Sequence, residues 1–175
     1  AIAMLENTGH EEISLSSLSS SDYQKLPELI DFLIEECSRR KVNISLPSLR
    51  IDAFSLDVMN KVQDVKKSSL TFAPEAGSQR LRNVINKGLT EEVILQGAKL
   101  AFEGGWTRVK LYFMLGIPFE TEEDIQGIAE LCNKIAAEFY DTVPKEKRNG
   151  RVQIVASTSF FIPKPFTPFQ WAPQC

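Results

Sequence analysis

Short β-like runs alternate with helix-like runs along most of the chain, and this alternation limits the possible folds more than any other feature. The predicted strands cover residues 12–16, 42–46, 69–73, 108–115 and 152–159. A helix between two strands usually acts as a crossover, so successive strands run parallel. The pattern therefore predicts an α/β fold with about five parallel strands.

Capping residues place the helices between these strands. A residue that favours a helix start stands at or near the beginning of each helix-like run: Pro27, Ser55, Ser78, Thr90 and Thr121. Gly88 and Gly104-Gly105 predict the ends of two of these helices. The run that begins at Ser55 predicts a short helix to about Asp64.

Within the predicted strands, apolar side chains alternate with small or polar ones. In residues 108–115, for example, Val109, Leu111 and Phe113 alternate with Lys110 and Tyr112. A doubly wound parallel sheet is covered on both faces and reads as nearly continuous apolar runs. One apolar face and one polar face instead predict a partial open TIM-like barrel, with helices outside and a polar cavity inside.

Composition narrows the class of protein. The net charge is −3 and the sequence pI is about 5.3, which disfavours nucleic-acid binding. The chain has no long apolar run and no signal peptide at its start, so we expect a cytoplasmic protein without membrane contact. Cys37, Cys132, Cys175 and the single His10 are too dispersed for a metal site, so we expect buried thiols and no metal ligands.

Two motifs stand at the ends of predicted strands. The first places Glu75 at a strand's carboxyl end, on the face of Thr71 and Ala73, just before the helix that Ser78 caps. The second is the Gly116-Ile117-Pro118 turn, where a glycine permits close approach of a ligand before a capped helix. Taken alone, each motif also fits an ordinary strand–helix connection.

Together and in this order, the two motifs resemble the radical S-adenosylmethionine (radical SAM) superfamily. The resemblance implies that Glu75 and Ser78 lie near the ribose, and that the Gly116-Ile117-Pro118 backbone lines the adenine. The Phe160–Trp171 stretch is similar to the barrel end of a subgroup, some of whose members carry a cobalamin-binding-like domain. We therefore divide the chain into a barrel core, residues 1–159, and a Pro- and aromatic-rich segment, residues 160–175.

The chain departs from the family in lacking the CxxxCxxC loop that holds a 4Fe–4S cluster. It also has five predicted strands where the family has six, so we interpret it as a fragment without the first strand and its cluster loop. For the parent, the resemblance implies S-adenosylmethionine and a 4Fe–4S cluster as cofactors, with cobalamin left open. The implied reaction is reductive cleavage of S-adenosylmethionine, followed by hydrogen abstraction from an unknown substrate. The run Ser16-Ser17-Leu18-Ser19 stands where the family has Gly-Gly-Glu, and Ser16 is the expected partner of the methionine amine.

Further residues are expected to contact a substrate or carboxylate: Arg50, Lys110 and Tyr112. Two alternatives remain open, a barrel lyase or aldolase that uses Lys110 as a Schiff-base former, and a non-catalytic binding module. If the first strand is missing, residues 12–16 form an edge strand without the lysines that usually protect such edges. We therefore expect this edge either to pair with another copy, giving a homodimer, or to be covered by the Pro-rich C-terminal segment.

Overall fold

The computed structural model describes residues 2–14, 24–45, 70–148 and 150–174. Within these ranges, the α-helices are α1 (Ile2–Thr8), α2 (Leu26–Arg40), α3 (Gln79–Val84), α4 (Glu91–Glu103) and α5 (Glu122–Thr142). The β-strands are β1 (Glu12–Ser14), β2 (Asn43–Ser45), β3 (Leu70–Glu75), β4 (Arg108–Leu115) and β5 (Gln153–Phe160). A 3₁₀ turn at Lys145–Lys147 precedes β5.

The strands form two parallel sheets in the described part of the chain. One sheet pairs β1 with β2, and the other has the order β3-β4-β5. The prediction of an α/β fold with parallel strands is confirmed. One continuous five-stranded barrel is not shown by these residues, because no pairing joins the two sheets among them.

Most element boundaries agree with the sequence analysis. β4 has the predicted bounds, and Ser78, Thr90 and Thr121 are N-cap residues as predicted. The short helix α3 ends at Val84 rather than at Gly88, because Asn86 already has a left-handed backbone (φ 53°) and ends the helix. Helix α1 was not predicted, since seven residues carry little periodic signal.

The main core lies between the three-stranded sheet and helices α4 and α5. Phe72 on β3 and Val109, Leu111 and Phe113 on β4 are almost fully buried in it. The helices contribute Ile94, Ala98, Phe102, Leu131, Ile135 and Phe139. Full burial of a leucine, isoleucine or phenylalanine side chain stabilises the fold by about 1.5–3 kcal/mol of transfer free energy. Thr71, Lys110 and Tyr112, on the opposite face, are less buried, so the prediction of one apolar and one polar face holds for β3 and β4.

A smaller core packs helix α2 against the β1–β2 sheet. Leu33 and Cys37 are buried there beside Ile13 and Val42. Burial raises the pKa of the Cys37 thiol, as it does for half-buried Cys132 on α5. Both cysteines are free, in keeping with the predicted structural role.

The helix predicted from Ser55 to Asp64, together with Cys175, lies outside the described residues. Of the helices in the described ranges, none combines the length and apolar character needed to cross a membrane.

Candidate functional site

The carboxyl-end edge of the three-stranded sheet contains three residues with left-handed backbone. They are Glu75 at the end of β3 (φ 68°), Gly116 just after β4 (φ 78°) and Phe119 three residues later (φ 69°). Glycine adopts this conformation freely, but Glu75 and Phe119 are held in it at a cost of about 1–3 kcal/mol each. Such strain is often found where a protein binds a ligand.

Glu75 follows a bulge in β3. Phe72 pairs with Leu111 and Glu75 pairs with Phe113, so three residue steps on β3 match two on β4. Pro74, which cannot donate to the ladder, lies within this bulge. The bulge means that simple alternation no longer fixes the face of Glu75. Its carboxylate accepts a hydrogen bond from Lys87 Nζ at 3.1 Å.

The segment after β4 folds into a tight turn. The Glu120 amide donates to the Ile117 carbonyl oxygen at 3.0 Å, with Pro118 and Phe119 as the central residues. Proline followed by a residue with positive φ is typical of a type II turn, which normally has glycine in place of Phe119. The Glu120 carboxylate accepts from the Gly116 amide at 2.7 Å and closes the turn. The Phe119 side chain is 73% exposed at the tip.

Helix α3 and this turn share a small apolar cluster. Ala76, Leu81 and Ile117 are buried together, and Phe161, just after β5, packs against them. The Phe161 amide also donates to the Leu115 carbonyl oxygen at 2.8 Å. The two motifs predicted from the sequence are therefore adjacent in the structure.

Asp124, on the first turn of α5, connects the two motifs through hydrogen bonds. Its carboxylate is 2% exposed and accepts from Ser78 Oγ, from Arg80 Nη2, and from the Thr121 amide at 2.8 Å and hydroxyl at 3.0 Å. Arg80 also donates to the Phe119 carbonyl oxygen at 2.7 Å. The sequence indicates a helix start at Thr121, but it carries no local signal for these longer-range bonds. Ser78 and Arg80 are 46 and 44 residues away from Asp124.

The environment of Asp124 favours its ionised form. Burial alone would raise the pKa of this carboxyl group, but the hydrogen bonds from Arg80, Ser78 and Thr121 outweigh burial. The pKa falls from its ordinary value of 3.8 to about 2. The carboxylate is therefore charged, and able to accept all these bonds, at neutral pH.

The buried Arg82 side chain donates hydrogen bonds to the β3–α3 loop. Its fully buried guanidinium donates through Nη1 to the carbonyl oxygens of Ala76 (3.0 Å) and Gly77 (3.1 Å), and through Nη2 to Gln79 Oε1 (3.3 Å). Burial lowers the pKa of Arg82, partly opposed by the charges of Glu91 and Glu92. The buried position of Arg82 was not predicted, because an arginine in a short helix usually has an exposed side chain.

Lys110 and Tyr112 lie elsewhere, on the less buried face of β4. Lys110 Nζ donates to the Tyr112 hydroxyl at 2.9 Å and lies 4.6 Å from the centre of its ring. The register aligns Thr71 and Val155 with Lys110, and Ser157 with Tyr112. At about 3.3 Å per residue, Lys110 is about 20 Å from Gly116 along the strand. The other predicted residues, Ser16 and Arg50, lie outside the described part of the chain.

This edge presents a carboxylate, that of Glu75, and an exposed aromatic ring, that of Phe119. Among the described residues, no group of three histidine, cysteine or acidic side chains could hold a metal ion. These residues therefore do not fit a 4Fe–4S cluster, which needs closely placed thiolates.

Comparison with known proteins identifies the family of the chain. Residues 1–132 match the family model described as the Radical SAM superfamily. The chain is 41% identical over 159 residues to the uncharacterized protein MJ0966 of Methanocaldococcus jannaschii, covering 91% of this chain and 32% of that protein. It is 24% identical over 131 residues to the putative methylthiotransferase MJ0865 of the same organism, covering 70% and 28% respectively. The chain thus spans about a third of the length of these curated relatives.

Proposed function

Because the chain belongs to the radical SAM superfamily, we propose that it forms part of the catalytic barrel of a longer enzyme and binds the adenosyl portion of S-adenosylmethionine. One observation carries this proposal: the two strand-end motifs share one edge of a parallel sheet and are joined there by Asp124. In α/β folds with parallel strands, ligands bind at the carboxyl ends of the strands.

Each predicted residue has a definite role in this proposal. The Glu75 carboxylate accepts hydrogen bonds from the ribose hydroxyls in exchange for its bond from Lys87. The Gly116-Ile117-Pro118 backbone lines the adenine, and the exposed Phe119 ring covers one face of the base. The Ser78 hydroxyl already donates to Asp124 and accepts from the Leu81 amide, so it fixes the loop beside the ribose.

S-Adenosylmethionine supplies hydrogen-abstracting chemistry when it is bound next to a one-electron reductant. We propose that the cysteines for a 4Fe–4S cluster belong to other parts of the longer protein. Within this chain, the described residues bind and orient the adenosyl group and help to exclude water from it. Cobalamin in the parent is a separate part of the proposal, which the described residues do not bear on.

The less buried face of β4 is the proposed substrate side of the barrel. Lys110 and Tyr112 are about 20 Å and 13 Å from Gly116 along the strand, which separates them from the adenine end. We propose that they contact the substrate rather than the adenosyl group. The comparisons give no support to a Schiff-base lyase or to a non-catalytic binding module.

The proposal can be tested by following backbone amide NMR signals while the chain is titrated with 5′-deoxyadenosine. We expect saturable shifts at Glu75, Gly116 and Ile117, with guanosine as the control nucleoside. Glu75→Gln should weaken binding about tenfold, whereas Glu103→Gln, an exposed carboxylate at the end of α4, should not change it. Shifts confined to other parts of the chain, or equal response to guanosine, would contradict the proposal.

A further inference from the structure

We infer that Asp124 is a positioning residue that holds both adenosyl-facing loops in a single arrangement. The first loop is residues 75–80, from the end of β3 into the start of α3, and the second is residues 116–121 after β4. This inference rests on the proposed function for its consequence in ligand binding, but its structural part can be tested without a ligand.

The Asp124 carboxylate accepts hydrogen bonds from beyond its own helix turn. An ordinary capping box joins groups within one helix turn, and here it is represented by the bond from the Thr121 amide. Ser78 and Arg80 add bonds from a loop that is more than forty residues away in sequence. A single buried carboxylate therefore accepts from both loops.

Arg80 connects Asp124 to the tip of the turn at Phe119. Arg80 Nη2 donates both to Asp124 and to the Phe119 carbonyl oxygen. Phe119 has a left-handed backbone, a conformation that persists only where the surroundings hold it. Without Asp124, the half-exposed Arg80 side chain has no buried anchor and gains rotamer freedom, so its hold on Phe119 weakens.

Packing alone does not fix the orientation of the first loop. Gly77 and Gly127 touch backbone to backbone, which brings the loop and α5 close together. Contact between two glycines is short-range and has little directionality, so it does not fix the rotation of the loop. Charge-assisted hydrogen bonds are directional and are stronger where water is excluded. Asp124 therefore supplies the orientation that the glycine contact lacks.

Asp124→Asn tests the carboxylate most directly, because it removes the charge and one acceptor oxygen but keeps the size of the side chain. Asparagine is uncharged and offers one acceptor oxygen, and its NH₂ group cannot accept from the Arg80 guanidinium or the Thr121 amide. We expect amide hydrogen exchange to rise about tenfold or more in Ser78–Leu81 and in Gly116–Glu120 together. Asp141→Asn removes an exposed carboxylate from the last turn of the same helix and should leave both loops unchanged.

Ligand binding gives the second readout, with S-adenosylhomocysteine as the probe. We expect Asp124→Asn to weaken its affinity at least tenfold. Ile135→Val, a core change on the same helix away from the loops, serves as a variant that lowers stability without touching the site. If Ile135→Val weakened affinity as much as Asp124→Asn did, the effect would be general destabilisation and the inference would be wrong.

The two readouts separate the inference from the proposed function. If the unmodified chain did not bind S-adenosylhomocysteine but both loops loosened in Asp124→Asn, the proposed function would fail and the positioning role would stand. If the chain bound the probe and Asp124→Asn changed neither exchange nor affinity, the positioning role would be overturned. Loosening of only one loop would also overturn it, since a shared anchor must release both.

Discussion

Gly77 and Gly127 lie in direct backbone contact, which leaves no room for a side chain at Gly77. A Cβ atom added there would overlap the Asp124 carbonyl oxygen and the Ile128 amide nitrogen, both of which belong to the backbone of α5. At Gly127, the added Cβ would lie 3.1 Å from the Gly77 carbonyl carbon, a tight but less severe contact. The β3–α3 loop can approach α5 only because both residues are glycines.

A graded loss of stability should follow from this contact. Gly77→Ala must push α5 away from the loop, and overpacking of this kind usually costs about 1–3 kcal/mol. Gly127→Ala meets a milder clash and gains about 0.5–1 kcal/mol from alanine's better helix propensity. Urea unfolding should therefore rank Gly77→Ala as clearly less stable than Gly127→Ala. The reverse order would show that the glycine contact is not tight in solution.

Stability should depend on acid pH through Asp124. Its folded pKa is about 2, below the ordinary value of 3.8, so its contribution is fully present above about pH 4 and is lost as pH falls through 2. At pH 7, Asp124→Asn should lower the free energy of unfolding by about 1–3 kcal/mol, because buried donors lose an acceptor. Chemical unfolding at pH 7, 4 and 2.5 should show this difference shrinking at the lowest pH. A constant difference across the series would contradict the assignment.

Arg82 should be essential to the stability of the β3–α3 loop. Arg82→Met keeps much of the side-chain volume but leaves the carbonyl oxygens of Ala76 and Gly77 without their donor. Each unsatisfied buried group costs about 1–3 kcal/mol. Arg108→Met, at an exposed position at the start of β4, is the control and should change the unfolding free energy by less than about 0.5 kcal/mol. Equal effects in the two variants would mean that the Arg82 bonds contribute nothing.

Replacing Phe119 by glycine should raise thermal stability and weaken nucleoside binding. Phe119→Gly relieves the left-handed strain, worth about 1–3 kcal/mol, against an entropy cost of about 0.5–1 kcal/mol, so thermal stability should rise. Phe166 shares both properties, with φ 63° and a 98% exposed side chain, but it lies in the C-terminal segment. Phe166→Gly should raise stability similarly without changing 5′-deoxyadenosine affinity, whereas Phe119→Gly should weaken that affinity. Unchanged affinity in Phe119→Gly would contradict the proposed contact between Phe119 and adenine.

The edge of the smaller sheet should promote self-association. β1 pairs with β2 on one side, and among the described residues no strand pairs with its other side. Ser14→Lys should shift the chain towards monomer in sedimentation measurements, because lysines on an edge oppose strand pairing. Ser38→Lys adds the same charge on an exposed position of α2 and should not. A chain that is already monomeric at high concentration would contradict this expectation.

Local signals explain why much of this fold could be predicted from the sequence. Ser78, Thr90 and Thr121 mark helix starts, since a capping side chain bonds to amides only a few residues away. The alternation in β4 assigned Leu111 to the helical side and Tyr112 to the other, because the two-residue period of a strand is set by the backbone itself. The sequence also indicated the two motifs that meet at the carboxyl ends of β3 and β4.

Only the tertiary structure decided how those motifs are joined. The bulge at Pro74 changes the register of β3 against β4, and the burial of Arg82 depends on carbonyl groups that a folded loop turns inward. From the sequence alone, Asp124 is only part of a local helix cap. In the folded chain, Ser78 and Arg80 also donate to its carboxylate. Capping and alternation depend on neighbours in sequence, whereas these contacts depend on where the chain returns after more than forty residues, which no local pattern encodes.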